Sequence, residues 1–207
     1  MAPKIVDRDA RKNEIIQAAL QAFSRKGFAN TKISDIASLA GVGKGTIYEY
    51  FRSKEGIFSA AYTTINNTMD AQLRHALGSV DQPLLKLKVL FELGLDYFLN
   101  DALDFSAVML QSWAEGIRTM DDDVQTIIDL KRIYSDYRSM IAVIVEEGQK
   151  MGVFRQVDTM AYASLAIASL DGLLLQVVTD PKFIDMEKIK RVFVDTLLKA
   201  IVIDDPI

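Results

Sequence analysis

Residues 33–52 read Ile33-Ser34-Asp35-Ile36-Ala37-Ser38-Leu39-Ala40-Gly41-Val42-Gly43-Lys44-Gly45-Thr46-Ile47-Tyr48-Glu49-Tyr50-Phe51-Arg52, and this run decides the fold. Two short helices that cross at a tight turn need a small residue at the crossing and a glycine where the backbone takes positive φ. They also need an apolar residue where the second helix packs on the first. Ala37, Gly41 and Ile47 stand at those three places, and Ile36, Ala40 and Val42 supply the remaining core. The run therefore reads as a helix-turn-helix. Thr31, or alternatively Ser34, caps a short helix through Ala40. Gly41-Val42-Gly43 makes the turn, and a further helix covers Gly45–Phe51.

The second of these helices carries donors and small groups. Lys44 and Thr46 lie at its start, where a recognition helix reaches base edges or phosphates. Gly45 lets backbone approach a duplex closely. The hydroxyls of Tyr48 and Tyr50 can donate to phosphate oxygens, while Phe51 reads as core. Lys54 stands where the next helix begins, so its amine and that helix N-terminus together could clamp another phosphate.

Charge points the same way. Residues 1–58 hold ten Lys/Arg against six Asp/Glu, whereas the whole 207-residue chain holds 24 against 28. A basic head on an acidic body suggests that the head alone meets a polyanion. With no cysteine and a single histidine, His75, thiolate chemistry, disulfides and a two-His metal site are excluded, and a reducing cytoplasm is the expected compartment. No cofactor is implied. There is no phosphate-binding glycine loop, since Gly41-Val42-Gly43-Lys44-Gly45 lacks the required spacing, no nucleophile elbow and no His partner for a serine; the reading is not an enzyme.

Eleven glycines and four prolines in a chain of this length favour helices over strands. Ile16, Leu20 and Phe23 stripe a first helix over 8–26, closed by Gly27. Ser53 caps a fourth helix that runs to about Leu77 and ends beside His75, a surface residue. Pro83 opens the next at its first position and carries it to about Asn100. Another is expected over Leu103–Ile117. Asp121-Asp122-Asp123 reads as anions at the start of a long helix ending near Gly152 rather than as a metal site. Asp158 caps an apolar helix through Val178, and Asp185 starts the last. This is an all-α chain of about nine helices: a three-helix head over 1–53 and a larger helical body over 54–207. Residues 1–14 lack a secretory signal. Residues 160–178 are apolar enough to suggest a membrane span, but Asp171 near their middle would cost about 2.5–3.5 kcal/mol on insertion, so no membrane is expected.

The run from Gly27-Phe28 through Thr31-Lys32-Ile33, Gly41-Val42-Gly43-Lys44-Gly45-Thr46-Ile47-Tyr48-Glu49-Tyr50-Phe51 and Lys54-Glu55 resembles the DNA-binding head of the TetR family of bacterial transcriptional repressors. The likeness covers residues 11–58. Two positions depart from the family pattern: Lys32 follows Thr31 where Ser or Thr is usual, and Gly43 precedes the recognition helix where Ser is usual. The resemblance implies that Thr31 and Lys32 join Lys44, Gly45, Thr46, Tyr48, Tyr50 and Lys54 at double-stranded operator DNA.

The resemblance also implies a homodimer joined through its last two helices. Ala161, Ala163, Ala166, Ala168 and Gly172 would permit close approach there, with Leu170 and Leu174 in the interface. A small-molecule effector would bind between the middle helices, lined by Phe91, Leu95, Phe98, Met109, Trp113, Tyr134, Tyr137, Met140 and Asp171. Asp171 has three possible roles: capping a neighbouring helix, pairing across the dimer, or meeting a cationic ligand. Arg138 could hold an anionic ligand or a surface salt bridge. Effector binding would shift the fourth helix and release the repressor from a palindromic site. An activator of the same fold, or a helical carrier of hydrophobic ligands without DNA binding, stands as the alternative.

Overall fold

The structure, a computed structural model, describes residues 7–99, 110, 113–114, 117, 129–180 and 185–203, the side chains of 97–99 excepted. Among the described residues there are eight α-helices and one isolated β-bridge. The helices are α1 (Arg8–Asn30), α2 (Ile33–Leu39), α3 (Lys44–Tyr50), α4 (Lys54–Gly78), α5 (Pro83–Leu99), α6 (Leu130–Lys150), α7 (Thr159–Thr179) and α8 (Met186–Lys199). Most of the helix expected over Leu103–Ile117, and the start expected at Asp121-Asp122-Asp123, lie outside the described residues. The chain forms two compact units, Met1–Asn67 with Leu103–Asp129 and Thr68–Ala102 with Leu130–Ile207.

In the first unit, Asp7 caps α1, its carboxylate accepting from the backbone N–H groups of Asp9 and Ala10 at 3.0 and 3.2 Å. α1 buries Ile15, Ile16, Ala18, Ala19, Ala22 and Phe23. Gly27, at φ 76°, kinks it where a side chain would be strained. Phe23, Phe28 and Phe58 then meet in a cluster with ring centres 4.8–5.6 Å apart. Ile57, Phe58, Ala61 and Tyr62 are all buried, and Phe58 joins the head's own aromatic cluster, so the first turns of α4 help complete that core.

The cap of α2 differs from the expected one. Lys32, not Thr31 or Ser34, holds the N-cap position, and Asp35 reaches back to accept its N–H at 2.9 Å and the Lys26 ammonium at 2.8 Å. Thr31 is instead 2 % exposed. Its hydroxyl donates to the carbonyls of Gly27 at 2.7 Å and Ala22 at 3.2 Å. Gly41 makes the turn at φ 64°, the Val42 N–H closing on the Ala37 carbonyl at 3.0 Å. Gly43 caps α3 with backbone alone.

In the second unit, α5 packs on α6 and α8, and α6 lies along α7. The core joins Leu87, Phe91, Leu95, Ile141, Val145, Tyr162, Ala163, Ala166 and Phe193. Two ion pairs cross it at the rim, Lys86–Glu147 at 2.8 Å and Lys190–Asp96 at 2.6 Å. The chain leaves α6 through Gly152 at φ 71° and lays the buried Phe154 ring on Gly148. A Cβ on Gly148 would come within 2.0 Å of that ring. The Phe154–Val202 bridge ties the segment after α8 back to this corner. Asp158 and Asp185 cap α7 and α8 as the sequence implied, accepting from Ala161 and Lys188 N–H at 2.9 and 3.2 Å.

Candidate nucleic-acid interface and interior polar site

Helix α3 is held from one side only. Ile47 is fully buried and Phe51, just past its end, nearly so, whereas Lys44, Gly45, Tyr48 and Glu49 face solvent and Thr46 and Tyr50 lie half-buried. Tyr48 is 50 % exposed. The Lys44 ammonium sits 5.9 Å from its ring centre, so the charge and the hydroxyl are offered together. A Cβ on Gly45 would find nothing within 4 Å. Glycine there costs a helix about 1 kcal/mol relative to alanine, and nothing in the protein's own packing requires it.

Two basic side chains not singled out above flank the same surface. The Arg8 guanidinium stands 5.8 Å from the Tyr50 ring centre and the Lys12 ammonium 5.8 Å from that of Phe51. The signal available in the sequence was the basic run Arg8, Arg11, Lys12 at the start of α1, which places cations on one helix face.

Two of the residues expected at phosphate have hydrogen-bond acceptors within the head itself. Thr31 spends its hydroxyl on backbone carbonyls, as described. The Lys54 ammonium donates to the carbonyls of Phe28 at 2.7 Å and Ala29 at 3.3 Å, and lies 4.4 Å from the Phe28 ring centre. It thereby satisfies acceptors at the C-terminal end of α1. Lys32 remains exposed.

Of the residues expected around an effector, Phe91 and Leu95 are fully buried and belong to the hydrophobic core, against which Tyr134, Tyr137 and Met140 pack. Trp113 is half-buried within the first unit. Met109 and the Phe98 side chain lie outside the described residues. Tyr134 and Asp171 are brought together, the phenol donating to a carboxylate oxygen at 2.9 Å. Burial holds the Asp171 pKa above the usual carboxylate range, and the Tyr134 hydrogen bond opposes that in part. One turn along α6, the Tyr137 hydroxyl reaches the Met69 sulfur at 3.9 Å.

Helix α7 is long and apolar enough by composition to cross a membrane, yet it buries Tyr162, Ala163, Ala166, Ile167, Leu174 and Val177 in the unit's core. Part of the expected pairing surface is interior. Ala163, Ala166 and Leu174 are interior, Leu174 being 2 % exposed, whereas Leu165 is 67 %, Leu175 52 % and, on α8, Val192 64 % exposed. An open apolar groove runs between these helices past Ser169, Gly172, Ile189 and Val192.

Residues 15–61 match the family of bacterial regulatory proteins named for tetR, and residues 98–201 match the C-terminal region of BetI-type transcriptional repressors. The chain is 34 % identical over 136 residues to the transcriptional regulator BetI of Pseudomonas fluorescens, covering 65 % of this chain and 68 % of that one. It is 28 % identical over 165 residues to the transcriptional repressor NicS of Pseudomonas putida, covering 78 % and 74 %. Among solved structures, a protein from Saccharomonospora viridis described as a transcriptional regulator, in complex with choline, superposes with a TM-score of 0.84 at 28 % identity, covering 95 % of this chain and 100 % of that one.

Proposed function

The chain belongs to the TetR family of bacterial regulatory proteins and is a ligand-responsive, DNA-binding transcriptional regulator, and we propose that it acts as a dimeric repressor released from a palindromic operator by a small hydrophobic or amphipathic molecule. The observation that carries this reading is α3: anchored by Ile47 alone on its inner side, it leaves Lys44, Gly45 and Tyr48 uncovered. Residues 1–53 form the DNA-binding domain, buttressed by the first turns of α4, and residues 54–207 serve ligand binding and dimerisation. Lys32, Lys44, Gly45, Thr46, Tyr48 and Tyr50 contact the duplex. Thr31 and Lys54 support that surface without touching phosphate.

Members of the family bind operators, dimerise and bind small effectors. In this chain the uncovered apolar stripe of Leu165, Leu175 and Val192 is the pairing surface. Two recognition helices related by a two-fold axis then read half-sites about 34–36 Å apart when one helical turn separates them. The choline complex of the S. viridis neighbour supports an effector of small, amphipathic size. For release, the effector must bind the DNA-incompetent state more tightly than the competent one. A coupling of about 1–3 kcal/mol would weaken DNA binding roughly 5- to 150-fold. A protein whose partner is bacterial DNA works in the cytoplasm.

The test is selection of bound duplexes from a random pool by the purified chain, repeated with a panel of metabolites. Enrichment of one palindromic sequence, lost with a panel member, is the expected result. A chain that enriches no duplex, or whose binding is insensitive to salt, overturns the reading.

A further inference from the structure

The first 58 residues hold six acidic side chains, Asp7, Asp9, Glu14, Asp35, Glu49 and Glu55. Five stand where the fold of the head favours them. Asp7 caps α1, Asp9 lies in its first turn and Glu55 in the first turn of α4, where a helix attracts negative charge. Glu14 pairs with Arg11 at 2.6 Å, and Asp35 accepts from the Lys26 ammonium and the Lys32 N–H. Glu49 is placed differently. It stands in the last turn of α3, where the helix dipole disfavours an anion, and it faces solvent. Residues four apart share a helix face. Glu49 therefore lies one turn beyond Gly45, whose Cβ position is open, and next to the exposed Tyr48.

We propose that Glu49 reads a base: its carboxylate accepts from the exocyclic amine of a cytosine in the major groove, and so specifies a G·C pair at one position of each half-site. This rests on the proposed contact of α3 with the duplex and deepens it by naming what one side chain selects. The duplex backbone is anionic, so a carboxylate on a face that docks against it weakens binding unless it meets a donor. An ionised carboxylate only accepts. The donors that the major groove offers are the N4 amine of cytosine and the N6 amine of adenine. The adenine amine stands between two acceptors, its own N7 and the O4 of the paired thymine. The cytosine amine has one beside it, the O6 of the paired guanine. Repulsion from neighbouring acceptors is therefore smaller at cytosine. Gly45 lets the α3 backbone close on the groove, which brings a long side chain one turn further along within reach of the base edges.

The test is selection of duplexes from a random pool by the full-length wild type, Glu49→Ala and Glu49→Gln, followed by competition binding on the enriched site. Glu49→Ala is expected to lose preference at one G·C position of the half-site and keep the others. At that position wild type is expected to bind G·C about tenfold or more tighter than A·T, and Glu49→Ala to bind the two within about threefold. Glu49→Gln, whose amide pairs with adenine N6 and N7, is expected to admit adenine there. Glu49→Ala that enriches the wild-type consensus and binds every sequence more tightly overturns the inference, because the carboxylate then only repels phosphate. Loss of preference at an A·T position overturns it too, as does Glu49→Gln with an unchanged consensus. The preference is read within a half-site, so it is scored whether or not the site is palindromic or an effector releases it. Wild type that enriches a duplex, with Glu49→Ala selecting the same one, removes this inference and leaves the regulator; wild type that enriches no duplex removes both.

Discussion

Helix α3 and the α7–α8 pair are both uncovered on one side, and they differ in what they leave uncovered. In the head, the solvent face of α3 carries Lys44, the Tyr48 hydroxyl and a glycine with open space around it. In the body, it is hydrocarbon: Leu165, Leu175 and Val192. A charged, hydrogen-bonding face suits a partner that is itself strongly charged. A row of exposed leucine and valine suits a partner that is apolar, and a second copy of the same helices is the simplest such partner. One chain thus displays two kinds of incompleteness, each naming a different class of molecule.

The largest effect is expected from breaking the apolar side. Leu165→Glu with Val192→Glu places two carboxylates on the pairing face without touching the core. The variant is expected to sediment as a folded monomer. Operator affinity is expected to fall by about 10²–10⁴-fold, the avidity that linking two half-site readers supplies. A variant that stays dimeric puts the pairing surface elsewhere. Leu174→Glu would be a poor substitute, because that side chain is core and its loss reads out as unfolding.

How far the sequence foretold this contrast depends on the range of the interaction. The turn glycine Gly41, the anchor Ile47, the caps Asp158 and Asp185 and the helix-opening Pro83 were all legible, because each is settled by neighbours within a few residues. The intramolecular acceptors of Lys54, the carbonyls of Phe28 and Ala29, lie 26 and 25 residues away, beyond the reach of local sequence patterns. Thr31 was misassigned for a related reason: a threonine beside a helix start is a good cap until Ala22, nine residues back, claims its hydroxyl. In α7 the difficulty was phase. A helix apolar nearly all round gives no periodicity to say that Leu174 points inward and Leu165 outward.

The two lysines of the head give the next effects, in opposite observables. Lys54→Ala removes an ammonium that satisfies two backbone carbonyls. It is expected to cost about 1–2 kcal/mol of unfolding free energy in urea, toward the lower side for a charged hydrogen bond because the group is partly exposed. Its operator binding in the folded range should keep the wild-type salt slope. Lys44→Ala should do the reverse: unchanged urea midpoint, about tenfold weaker operator binding, and a log–log salt slope shallower by about 0.9, one phosphate contact. If Lys54→Ala flattens the slope instead, the ammonium reaches phosphate on the duplex and the division between scaffold and surface fails.

The smallest effect concerns Asp171, a half-buried carboxylate on α7 that accepts from the Tyr134 hydroxyl. Burial raises its pKa over that of the unfolded chain, so the folded state binds the proton more tightly. Between the ordinary carboxylate range and the raised folded value, folding therefore takes up protons, and stability falls as pH rises. Asp171→Asn removes this dependence while keeping shape. The difference in stability between the two proteins, followed by urea unfolding across the acid-to-neutral range, is expected to move in favour of the asparagine variant as pH increases. Parallel pH curves would mean that Asp171 is as well solvated in the fold as in the unfolded chain.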